Sequence, residues 1–170
     1  MRIQNKIVLG IAIALAITSA ASPQTRRVPV PVTPDEVGMT IALQVAGQPY
    51  HFEGKAACQH APLASIYNVM AEMWSLRQID PQRAVTLTLW HPRKMSSDMF
   101  LLSVQTGNKG YIVDTMSSGK GSSAVSSGKV SFTTSGAGGT FTIDAKTRDG
   151  AAITGTIKCS AFTAPIAEGG

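Results

Sequence analysis

The chain has 170 residues, with 15 Lys and Arg against 10 Asp and Glu, and a formal net charge of +5. Only 15% of its residues are charged and they form no basic stripe, which argues against a nucleic-acid partner. The length suits one domain with a substantial core.

The first residues predict export. Arg2 and Lys6 precede an apolar run from Ile7 to Ile17, diluted only by Gly10, and the small residues Thr18, Ser19, Ala20, Ala21 and Ser22 follow. This is the pattern of a secretory signal peptide over residues 1–21, cut after Ala21 with Ser19 at the third-last position. An eleven-residue apolar helix is about 16 Å long, short of a hydrocarbon core of ~30 Å. The competing reading is an uncleaved membrane anchor. No Cys lies near the cut, so a lipid anchor is not indicated, and Arg26-Arg27 follows the apolar run rather than preceding it. Loss of Arg2 and Lys6 leaves 13 cations against ten acids, a net charge of +3. The mature chain is expected in the periplasm or outside the cell, with no membrane span.

Residues 22–37, SPQTRRVPVPVTPDEV, hold Pro23, Pro29, Pro31 and Pro34. Proline fixes φ and lacks an N–H, so this stretch reads as an extended linker. A Pro-rich recognition ligand is the other reading of the same residues.

From Gly38 to Gly170 the apolar period is mostly two. Met39, Ile41, Leu43 and Val45 alternate with polar or small residues, and Tyr50 and Phe52 continue the pattern after Gly47-Gln48. Further runs are Val85, Leu87 and Leu89; Phe100, Leu102 and Val104; Val130 and Phe132; Phe141 and Ile143; Ile153 and Ile157. Strict alternation marks strands with one buried face. Asp80-Pro81, His91-Pro92, Gly107-Asn108, Gly136 to Gly139 and Asp149-Gly150 are the turn signals between them. The expected fold is all-β, an antiparallel β-sandwich of about eight strands over residues 38–170.

Two stretches resist that pattern. Leu63, Ile66, Tyr67, Met70, Met73 and Trp74 fall at helical spacing, which predicts a short helical turn near residues 62–72 followed by a strand. Trp74 and Leu76 also fit the start of a strand that hairpins into AVTLTLW, so residues 62–78 stay open between helix and strand. Residues 117–129, SSGKGSSAVSSGK, read as a polar loop.

Cys58 follows the second strand and Cys159 ends the last one. Cys58 shares parity with Phe52 and Cys159 with Ile157, so both are expected to point inward. They are the only cysteines of a chain that reads as exported, and a Cys58–Cys159 disulfide is the prediction. A reactive or metal-bound thiol is the alternative.

Motifs with chemistry are scarce. GxSxG, HExxH, CxxC and a phosphate-binding glycine loop are missing from the sequence. Ser117 to Lys120 and Ser126 to Lys129 match SxxK, the spacing that places Ser and Lys on one helix face in penicillin-recognising enzymes. Here both matches sit in a Gly- and Ser-rich tract with no KTG or SDN after them. His91, Met95 and Met99 are spaced by four, a set of imidazole and thioether donors suited to Cu(I). Met70 and Met73 fit a core face better than a metal site. No catalytic residue and no cofactor is assigned.

A leading alternating strand, then GKAAC, SIYNVMAEMW, LTLWHP and a closing GTIKCSAF follow in order. This succession resembles a group of small exported bacterial β-domain proteins with one disulfide and no established activity, over roughly residues 38–170. The resemblance implies the fold and the bridge and no reaction. The functional expectation is a non-enzymatic binding or structural module of the cell envelope, its ligand a glycan, a lipid or an envelope protein. Periplasmic copper binding through His91, Met95 and Met99 is the second reading, and a hydrolase of unrecognised type the third.

Overall fold

The structure is a computed structural model that describes residues 35–94, 97–116 and 126–165. The predicted leader 1–21, all of the predicted linker before Asp35, Met95 and most of the Ser-rich tract lie outside the described residues. Nine strands follow in order: β1 Glu36–Val45, β2 Gln48–Ile66, β3 Val69–Ile79, β4 Arg83–Pro92, β5 Met99–Thr106, β6 Lys109–Asp114, β7 Ser127–Ser135, β8 Gly138–Lys146 and β9 Ala152–Cys159. They form one sheet in the order β6-β5-β4-β3-β2-β1-β9-β8-β7, and every ladder is antiparallel.

The all-β expectation holds, while the sandwich of eight strands is corrected. A sandwich needs two separate ladders, and here the ladder is continuous. Strand β2 makes this possible by pairing with β1 over Gln48–Ala57 and with β3 over Ala57–Ile66. The sheet turns at that shared strand and curls until Trp74 of β3 meets Phe132 of β7, with ring centroids 4.7 Å apart. The result is a nearly closed, barrel-like sheet whose ends are β6 and β7. The additional strand is β6, whose six residues carry too short an alternation to stand out.

Every strand sends its alternate residues to one core. Met39, Ile41, Leu43 and Val45 of β1, Val85, Leu87 and Leu89 of β4, and Phe100, Leu102 and Val104 of β5 are all buried. Phe141 and Ile143 of β8 and Ile153 and Ile157 of β9 complete it from the other half. The curl needs a residue without Cβ where β9 crosses β1. Gly155 lies at φ +133°, and a Cβ there would fall 2.2 Å from the Ala42 carbonyl oxygen.

The helical turn near residues 62–72 is a second correction. Those residues end β2, turn, and begin β3; no helix occurs among the described residues. The turn is Ile66-Tyr67-Asn68-Val69, with φ of 49° at Tyr67 and 62° at Asn68. Positive φ at both central residues is the type I′ geometry whose twist suits a hairpin. A hairpin with apolar residues on each arm mimics helical spacing, because the two arms are read as one run. A one-residue bulge between Ala61 and Ala64 places Pro62 where no ladder bond is required.

The remaining turns follow local chemistry. Gly107 and Gly136 each lead a two-residue turn at positive φ. Asp149-Gly150 closes the β8–β9 hairpin as expected, with Gly150 at φ 88° and the Thr147 N–H donating to the Ala151 carbonyl. The His91-Pro92 turn signal is displaced: both residues still belong to β4, and the chain turns at Arg93-Lys94. Strand β1 also begins inside the predicted linker, at Glu36.

One end of the barrel is closed by a polar relay. The Tyr50 hydroxyl donates to Oε1 of buried Gln78 at 2.6 Å, and Gln78 Nε2 donates to Asp80 at 3.3 Å. Burial raises the Tyr50 phenol above its ordinary pKa, against the opposing pull of Arg83. Asp80 caps the β3–β4 turn by accepting from the N–H groups of Gln82 and Arg83, at 3.0 and 2.8 Å. Those backbone bonds, Gln82 first, hold its carboxyl below the usual range.

The other end carries the disulfide. Cys58 and Cys159 are joined, with Cα atoms 6.3 Å apart and a sequence separation of 101. Both sulfurs are buried in the core as parity predicted. Beyond the start of β1 the chain after β9 takes its place beside β2. Gln59 and Thr163 form a parallel bridge, and the His60 N–H donates to the Thr163 carbonyl at 2.9 Å. This fold-back sets Phe162 against Phe132, Phe141 and His60.

Candidate functional site

The curled sheet leaves a cleft between the start of β5 and the start of β7. The terminal strands β6 and β7 have no ladder between them. The cavity there measures about 380 Å³ and is lined by Ser97, Asp98, Phe100, Gly128, Lys129 and Val130. Phe100 and Val130 are buried core residues and make its floor. Ser97, Asp98 and Lys129 supply a hydroxyl, a carboxylate and an amine around it. Gly128 lets β7 and β8 approach closely, since a Cβ at that position would fall 2.4 Å from the Ala145 Cα.

A row of imidazoles and carboxylates runs along the same rim. His91 continues the inward parity of Val85, Leu87 and Leu89, but lies beyond the core and stays exposed. Its Nδ1–H donates to Asp98 Oδ1 at 2.6 Å, because a carboxylate offers only acceptors. Glu72 stands opposite His91 in the β3–β4 ladder. Glu72 Oε1 in turn accepts from His60 Nε2–H at 2.8 Å. His60 stacks on Trp74 with centroids 4.9 Å apart and planes 10° from parallel. Four alternating groups, His60, Glu72, His91 and Asp98, thus cross from β2 to the start of β5, over an aromatic layer of Trp74, Phe132 and Phe162.

With Nδ1 engaged by Asp98, the His91 ring keeps Nε2 for a ligand. A hydrogen-bonding rim above an apolar floor suits a small polar molecule with one flat or apolar face. Among the described residues no cluster of three or more His, Cys, Asp or Glu side chains is placed to hold a metal ion.

The copper set is placed as follows. His91 lies on the core side of β4. Met99 stands opposite Trp90 on the face of β5 turned away from Phe100, where it is buried. The two therefore point to opposite faces of the sheet, and Met95 lies outside the described residues. Neither SxxK match brings chemistry into view: Lys129 reaches the cleft, while Ser117 and Lys120 lie outside the described residues.

His60, Glu72 and Asp98 went unnoticed in the sequence. They are 12 and 7 residues from their partners, a spacing that carries no local signature. Only the ladder registers bring them together.

No family model, no curated protein and no solved structure matches this chain.

Proposed function

We propose that the chain is an exported, non-enzymatic binding module of the cell envelope, acting in the periplasm or outside the cell, and that its ligand seats in the cleft between β5 and β7. The observation that carries this reading is the combination of an apolar floor, Phe100 and Val130, with a polar rim of Ser97, Asp98 and Lys129 in one cavity. The formed disulfide and the leader-like residues 1–21 support the location. The resemblance to small exported bacterial β-domain proteins points the same way. An envelope glycan fits the cleft better than a long acyl chain, because the rim offers a hydroxyl and a carboxylate on one wall and an amine on the other.

Amide NMR of the isotope-labelled protein, titrated with soluble envelope glycan fragments, tests the ligand. Shifts confined to Ser97, Asp98, Gly128 and Lys129 support the reading, and an unchanged spectrum removes it. Amino-terminal sequencing of the exported protein tests the location: the first residue is expected between Ala20 and Gln24, and an intact Met1 in a membrane fraction overturns it.

One observation favours hydrolysis as a second reading. Ser97 lines the same cavity as Asp98, and Asp98 orients the His91 imidazole. Turnover of an activated ester that is abolished by both Ser97→Ala and His91→Ala would replace the binding module with an enzyme.

A further inference from the structure

The tip of the β2–β3 hairpin is the most apolar exposed part of the described chain. Leu63 is 70% exposed, Tyr67 67% and Met70 49%. From Ala61 to Ala71 the sequence carries no charge at all. Past Ala71, the last residue of β3 to pair with β4, the hairpin's ladder joins only its own two arms. Among the described residues, the backbone bond that reaches it from outside is the Arg93 N–H donating to the Met70 carbonyl at 2.9 Å.

That bond decides the chemistry of what the tip meets. It sets the β4–β5 turn against the hairpin, and the turn presents two exposed cations, Arg93 and Lys94. The carboxylates on the neighbouring rungs, Glu72 and Asp98, are each engaged by an imidazole. The tip therefore shows apolar side chains beside positive charge. The turn itself is costly, since it holds a bulky Tyr at positive φ where Asn or Gly would relax it. An aromatic hydroxyl on an exposed apolar tip suits the boundary between acyl chains and headgroups.

We propose that the β2–β3 hairpin tip inserts into an anionic phospholipid surface, with Leu63, Tyr67 and Met70 entering the acyl boundary and Arg93 and Lys94 meeting lipid phosphates. This surface is separate from the cleft, and it holds whether or not the cleft binds a glycan.

The test uses the full chain carrying Tyr67→Trp, with the signal of Trp74 and Trp90 subtracted by the unsubstituted protein. Vesicles contain equal parts of phosphatidylcholine and phosphatidylglycerol, with acyl chains brominated near the headgroup. The added indole is expected to shift to the blue and be quenched, a readout at the tip that the apolar leader does not produce. Adding Leu63→Ser and Met70→Ser should weaken this quenching titration by at least about tenfold. Arg93→Glu and Lys94→Glu should each weaken it by about fivefold, with little effect on pure phosphatidylcholine. Sedimentation with vesicles while the indole stays unquenched would overturn the proposal by placing the contact elsewhere. A blue shift that grows with protein concentration and needs no vesicles would overturn it too, since a second copy would then cover the tip.

Discussion

The two halves of β2 belong to different physical regimes. Its first half, Gln48 to Ala57, is laddered to β1, and its second half is laddered to β3 and ends as an arm of a hairpin that leaves the barrel. Around the first half, apolar side chains are buried on one face and cross-linked by the Cys58–Cys159 bridge. At the tip, residues of the same apolar character face solvent. Burial is thus set by whether a strand's face turns onto the shared core, and hydrophobicity alone does not decide it. The body spends apolar character on stability, and the tip leaves it available for contact.

Substitutions of similar chemistry should separate the two regions. The largest effect is expected at Phe141, which is 1% exposed and packs against Phe132 and Phe162. Phe141→Ala should cost about 3–5 kcal/mol in urea unfolding, through lost burial and the cavity left behind. An effect below about 1 kcal/mol would mean the aromatic layer is not part of the cooperative core.

The bridge comes next. Replacing Cys58 and Cys159 together by Ala should cost roughly 2–5 kcal/mol, because the 101-residue loop it closes is lost from the unfolded ensemble. Hydrogen exchange should then rise first at Gln59 to Thr163, the parallel bridge beside the cystine. Two reactive thiols in the unfolded, unreduced wild-type protein would contradict the bridge.

The contrast also explains what the sequence shows and hides. Strands such as β1, β4 and β5 were legible because their neighbours on both sides continue, so one face is buried and the period of two is enforced. Parity alone placed Cys58 and Cys159 correctly. The stretch from Leu63 to Trp74 misled because a type I′ turn without Gly sits in its middle, and neither Tyr67 nor Asn68 followed by Val announces it. The single curled sheet was hidden in the length of β2, whose 19 residues pair with different partners at each end. The His60, Glu72, His91 and Asp98 row was illegible for the same reason: it exists only in the registers.

A smaller effect is expected at the opposite end of β3, and it depends on pH. Asp80 is held below its ordinary pKa first by the Gln82 N–H, then by the Arg83 N–H and guanidinium and by Gln78. A depressed folded pKa means the ionised carboxylate stabilises the fold above the unfolded-state value, near 4. That contribution is lost as pH falls through the lower, folded value. Asp80→Asn should remove this acid-side slope and leave the profile above pH ~6 nearly flat relative to wild type. Thermal melts from neutral to acid pH check it; an unchanged acid slope would assign the loss to other carboxylates.

The smallest effects belong at the hairpin tip. Leu63→Ser should change the urea midpoint by less than about 0.5 kcal/mol in stability, because the side chain is already 70% exposed and has little burial to lose. Replacing Tyr67-Asn68 by Asn-Gly goes further, and should raise stability by up to about 1 kcal/mol by giving the type I′ turn the residues its positive φ angles favour. A gain there, with the slope of unfolding against urea unchanged, would show that the tip carries strain the fold does not need. A loss as large as that of Phe141→Ala would erase the distinction between body and tip, because Tyr67 would then have to be part of the core it stands outside. The sign of this one variant separates a hairpin shaped for folding from one shaped for contact.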